Sequence, residues 1–139
     1  MKLTQFKKEC MNLRKIDALV AEHIFEEPVY WPDGKNSHPW QNTYNKRRTD
    51  TTGIEVVPPY SSDISAAWEV LEKLRFIQPE GTNNGSGSWV LSPLMEGGYD
   101  MYYKHTSMAD YESTFCDTYA DSAPLAICLA ALRTKGVEP

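Results

Sequence analysis

The run LAICLAAL at 125–132 has no polar face. A helix that is apolar around most of its circumference cannot lie on a surface and must be covered from more than one side. The flanking residues mark it as a helix. Ser122 stands at the N-cap and Pro124 in the first turn, where a missing N–H costs nothing; Arg133 and Lys135 fall in the last turn, and Gly136 stops it. This helix is therefore expected at the centre of the core, and the rest of the chain must supply what surrounds it.

Two further helices are predicted. In MNLRKIDALVAEHIF, residues Ile16, Leu19, Val20, His23 and Ile24 form one apolar stripe, with Asn12 as N-cap and an end by about Phe25 ahead of Pro28. His23 on that stripe reads as a half-buried packing residue. In PPYSSDISAAWEVLEKL, Ile64, Ala67, Trp68, Leu71 and Leu74 are expected to face inward, and Glu69, Glu72 and Lys73 outward. Ser62 or Asp63 is the expected cap, with Ser61 as the alternative.

Between the second and third helices the period changes to two. Strands are predicted at 88–92, 99–105 and 111–117, with Glu96-Gly97-Gly98 turning between the first two, and a fourth strand at 53–57. Helices around an antiparallel meander make an α+β sandwich. The 139 residues suit one domain, 1–139, and a chain of that length buries roughly 68–70% of its unfolded surface without help from disulfides or metal. Its least regular part is the insert at about 27–52, which holds three prolines, two tryptophans, two tyrosines and Lys46-Arg47-Arg48. Loops of that length inside a small domain tend to be functional or mobile. PEGTNNGSGS, at 79–88, reads as a flexible connector.

Several function classes find no support. A net charge of −5 argues against general nucleic-acid binding, which needs a basic surface. No apolar run reaches the length of a membrane span, and MKLTQFKKECMNLRK lacks the apolar core of a signal peptide, so an intracellular protein is expected. Cys10, Cys116 and Cys128 form no CxxC pair and read as free thiols, Cys128 as a small core residue. His23, His38 and His105 show no zinc-ligand spacing. There is no GxSxG elbow, P-loop or GxGxxG fingerprint. The carboxylates Glu96, Asp100, Asp110, Glu112, Asp117 and Asp121 read as a solvated acidic edge, the one foothold for a metal-dependent enzyme. No catalytic residue, metal or cofactor is expected.

What remains points to binding. Trp31, Trp40, Tyr44 and Tyr60 offer flat rings for stacking, and Arg47 and Arg48 suit phosphate oxygens. The N-terminus of the second helix, at Tyr60, Ser61 and Asp63, offers backbone N–H groups to an anion. Together these residues would make a pocket for a small anionic nucleotide-like ligand, converging on one cavity shared between subunits of a homo-oligomer. The plainer alternative is a surface loop pinned by aromatics, a solvated basic triplet and a capped helix.

NLRKIDALVAEHIF, PPYSSDISAAWEVLEKL and DSAPLAICLAALRTKGVE resemble the phage ABA sandwich domain family of Bacillus-type phages and prophages. Members of that family read IDxLVAE, PxYSTDIxAAWxVVEKL and APLAICLAALxAxG at the matching places; Ser62 here replaces the usual threonine and keeps a hydroxyl. The resemblance implies an α/β/α arrangement, with a small antiparallel sheet of three to four strands packed between helices. It also implies a phage protein working in the cytoplasm of the infected bacterial host. It implies no activity. Two expectations compete: a non-catalytic anti-defence sponge that sequesters a nucleotide-derived host immune signal, and a small accessory protein or inhibitor that binds a host or phage protein.

Overall fold

The computed structural model describes residues 3–27, 29, 45–47, 54–82 and 85–139, with side chains at 13–27, 29, 56–82 and 85–139. The elements in chain order are α1 (Leu3–His23), β1 (Asn45–Arg47), β2 (Ile54–Val56), α2 (Ile64–Leu74), β3 (Ser86–Pro93), β4 (Tyr99–Thr106), β5 (Glu112–Ala120) and α3 (Ala123–Thr134). They form an α+β sandwich: three helices and a three-stranded antiparallel meander in the order β3-β4-β5.

The apolar run becomes α3, and α3 packs on α1, on α2 and on all three strands of the meander. Ala126, Ile127, Cys128, Ala130, Ala131 and Leu132 are all buried. Fully burying a side chain such as Ile127 or Leu132 stabilises by about 1.5–3 kcal/mol each. Ser122 accepts the Leu125 N–H at 3.4 Å. Beyond the helix, Val137 N–H returns to the Leu132 carbonyl (3.0 Å) and Gly136 N–H to that of Arg133 (3.1 Å). These are the two bonds of a Schellman stop, and Gly136 takes the left-handed φ of 68° that the stop requires. Polar ties fasten α3 to the sheet. The Thr118 hydroxyl points to the carbonyls of Met101 (3.3 Å) and Ala126 (3.2 Å), and Arg133 Nη1 donates to the Asp117 carbonyl (2.6 Å).

The other elements depart from expectation in instructive ways. α1 starts at Leu3, so Asn12 lies inside the helix rather than capping it. The strands run 86–93, 99–106 and 112–120, with the turn at 94–98 closed by Leu94 N–H to Gly98 O (3.0 Å) and Gly97 N–H to Leu94 O (3.0 Å). The strand at 54–56 does not join the meander; it pairs with 45–47 in a hairpin of its own, with Lys46 opposite Glu55 and Arg47 opposite Ile54. Among the described residues, the insert at 27–52 therefore contains one strand, β1. In β5, Met101 faces Thr118 whereas Tyr103 faces Phe115, so β5 carries one extra residue, and Cys116 takes a φ of 55° there. This bulge puts Phe115 on the same face as Thr118, against simple alternation.

The inner face of the meander carries Trp89, Leu91, Tyr99, Met101 and Ala120 into the core. Its outer face carries Lys104, Glu112, Thr114 and Tyr119, all exposed, and no described helix covers it. The three helices and the meander thus share one core, on one side of the three-stranded sheet.

Candidate functional site

The cap of α2 forms as the pattern predicts: Asp63 accepts the Ser65 N–H at 2.8 Å. The contacts that Tyr60 and Ser61 make beyond the cap are internal. The Ser61 N–H donates to Asp17 Oδ1 (2.7 Å) and its hydroxyl to the Leu13 carbonyl (3.1 Å). Arg14 donates from Nη1 to Asp17 Oδ2 (2.7 Å) and from Nη2 to the Val57 carbonyl (2.7 Å). Tyr60 is buried and stacks on Phe25, with centroids 5.0 Å apart and planes at 13°. Burial, and then the carboxylates of Glu27 and Glu69, hold its phenol well above the usual range. Burial also pushes the Asp17 carboxyl up, against the pull of Ser61 and Arg14. This cluster fastens α1 to the segment that leads into α2.

Of the remaining candidates, Trp31, Trp40, Tyr44 and Arg48 lie outside the described residues, and Arg47 is described only in its backbone, on β1. Among the described residues no group of three His, Cys, Asp or Glu is placed to hold a metal ion. His23 is half-buried beside Glu22, and Cys128 is fully buried, its thiol raised well above the usual value by burial.

A concave feature lies at the other end of α2. A groove of about 690 Å³ runs between the C-terminal half of α2, the segment 75–78 and strand β3. It exists because α2 is turned differently from expectation. Ala67, Val70 and Leu74 are its buried face, while Trp68 is 57% and Ile64 53% exposed. Trp68 therefore lines the groove, followed by Phe76, which is 85% exposed. The floor is built by the sheet. Trp89 donates its Nε1–H to the Leu74 carbonyl (3.1 Å) and meets Tyr103 edge-on at 5.3 Å. Gly87 lets the Tyr103 ring lie directly on the backbone of β3; a Cβ there would collide with that ring. At the mouth, Arg75 Nη1 meets Glu72 Oε2 at 3.0 Å, and its guanidinium carbon lies 6.0 Å from the Phe76 ring centre.

Sequence reasoning missed this groove. Ile64, Ala67, Trp68, Leu71 and Leu74 satisfy helical spacing, which puts Trp68 on the inner stripe. Ala67, Val70, Leu71 and Leu74 satisfy it as well, and only the packing on α3 chooses between them.

The profile of the phage ABA sandwich domain matches residues 18–132, well over half the chain. The chain belongs to the phage ABA sandwich domain family. The match begins within α1, just after Asp17, and ends within α3, so it spans the groove, the Ser61 side of the Asp17–Ser61 cluster and the whole meander. Membership makes this a phage protein and agrees with the α+β sandwich. No curated protein and no solved structure matches the chain. Among the described residues, no helix of this phage ABA sandwich domain is long and apolar enough to cross a membrane.

Proposed function

We propose that this phage protein is a non-catalytic binder that sequesters a small, nucleotide-derived host signalling molecule in the cytoplasm of the infected bacterium. The observation that carries the reading is the groove: two exposed rings, Trp68 and Phe76, and one guanidinium, Arg75, stand around a concavity of about 690 Å³. That volume is in the range of small-molecule sites. Aromatic faces accept any base by stacking, and a guanidinium accepts phosphate oxygens. Sequestration needs affinity and abundance rather than chemistry, which suits a groove walled by aromatic and aliphatic side chains.

The test is the mass of what the protein carries. Wild type and a Trp68→Ala/Phe76→Ala variant are incubated with extract from phage-infected, defence-activated cells, repurified and heat-denatured. The reading expects an unmodified nucleotide released from wild type and lost from the variant. An empty wild type, or equal loading of both, contradicts it. Altered nucleotide with turnover would make the protein an enzyme.

One observation favours a second reading, a protein-binding accessory factor. Ile64 and Trp68 are exposed one turn apart on α2, the spacing of helix-presented interface anchors. That reading expects no released small molecule and a single host or phage protein whose binding is lost on Ile64→Ala.

A further inference from the structure

We infer that Glu72 acts as an internal stand-in for the ligand's anionic group, holding Arg75 until a phosphate replaces it, so that this pair sets the preference for charged over neutral ligands. The inference rests on the groove being a ligand site and names the residues that decide which ligand class it takes.

Glu72 and Arg75 both line the groove, at the last turn and the C-cap of α2. A helix C-terminus is the electronegative end of the macrodipole, so backbone there repels an anion. The Leu74 carbonyl, at the end of α2, already accepts from Trp89 Nε1. Among the described groove-lining residues Arg75 is the sole cation, and so the one charge partner they offer to an anion. In the structure the guanidinium uses Nη1 for Glu72 at 3.0 Å, with the two side chains 66% and 47% exposed. Such exposed pairs are weak, and their loss is easily compensated. A phosphate can meet a guanidinium through two parallel bonds where Glu72 is met through one nitrogen, so exchange is favourable once a stacked ring brings the phosphate close. Phe76, beneath the guanidinium at 6.0 Å, keeps it over the groove mouth during the exchange. Until then, Glu72 neutralises the mouth and lowers the affinity of weakly held anions.

The experiment compares AMP with adenosine by titration of tryptophan fluorescence, and reads the ratio of their affinities. Glu72→Gln is expected to raise the AMP-to-adenosine ratio by about two- to fivefold, the range set by an exposed ion pair. Glu69→Gln removes the same charge from an exposed position on α2 outside the groove lining, and is expected to leave the ratio at its wild-type value. In an Arg75→Ala background the effect of Glu72→Gln disappears. An unchanged ratio in Glu72→Gln, an equal rise in Glu69→Gln, or an effect that survives Arg75→Ala overturns the inference while leaving the groove as a binding site. Failure of wild type to bind either AMP or adenosine overturns both.

Discussion

The Ser61 N–H donates to Asp17 Oδ1 at 2.7 Å across 44 residues of sequence. Asp17 is fully buried, and its second oxygen is taken by Arg14. One carboxylate therefore joins the middle of α1 to the turn that launches α2. That turn leads straight into α2, whose packing on α3 decides which of its side chains reach the groove.

Asp17→Ala leaves the Ser61 N–H and the Arg14 guanidinium without this acceptor. Leaving the buried Ser61 N–H unsatisfied costs about 1–3 kcal/mol, with Arg14 one-third exposed and able to turn to water, and Asp17→Asn, which keeps an acceptor, is expected to cost less. Urea unfolding of the two variants checks the order. A loss below about 1 kcal/mol for Asp17→Ala would remove the cluster from the list of what holds the fold together.

The pH dependence of the same residue has a definite sign. Burial raises the folded-state pKa of Asp17 above the ordinary 3.8. Its contribution to stability is then complete below 3.8 and is lost as pH rises through the folded-state value. The stability of wild type minus that of Asp17→Asn is expected to shrink between pH 3.5 and pH 7, taken as roughly the span over which a raised carboxyl titrates. A difference that grows with pH would mean that Ser61 and Arg14 outweigh burial.

Trp68 and Phe76 are exposed, so their removal tests binding with little effect on folding. Trp68→Ala and Phe76→Ala are each expected to change unfolding free energy by no more than about 0.5 kcal/mol. Loss of a stacking ring should weaken AMP binding by about 1–3 kcal/mol. Titration beside urea unfolding separates the two effects, and a variant that unfolds early without losing affinity would contradict the assignment.

Gly87→Ala is the most local test of the groove floor. The added Cβ meets the Tyr103 ring, which must swing aside. Forcing a side chain out of a packed site costs about 1–3 kcal/mol. The near-ultraviolet circular dichroism of the Trp89–Tyr103 pair should change with it, and an unchanged spectrum would show that the ring does not lie on Gly87.

The sequence was most informative where one physical requirement dominated. The all-apolar run 125–132 could only be central, and Ser122 and Gly136 marked its limits within a residue. The meander followed from alternation, but β3 begins two residues earlier and β5 ends three residues later than alternation shows, because Gly87 and Thr118 look like turn and polar positions until pairing buries their neighbours. Asn12 resembled a cap because its side chain can compete for backbone N–H groups, yet the residues before it continue the helix without a break. The site was least legible. Trp68, Phe76, Trp89 and Tyr103 reach one groove only through strand pairing and the rotation of α2, and neither leaves a mark in local spacing. Tyr60 and Ser61 looked available to a ligand because a cap is an exposed place; here the turn is folded under, onto Phe25 and Asp17.

Amide NMR of the isotopically labelled protein titrated with AMP shows whether the α2–β3 groove takes a planar anionic ligand. Saturable shifts are expected, concentrated at Trp68, Arg75, Phe76, Gly87 and Trp89, with Asp17 and Ser61 unmoved. Shifts confined to other parts of the chain, or none at millimolar AMP, would contradict binding in the groove.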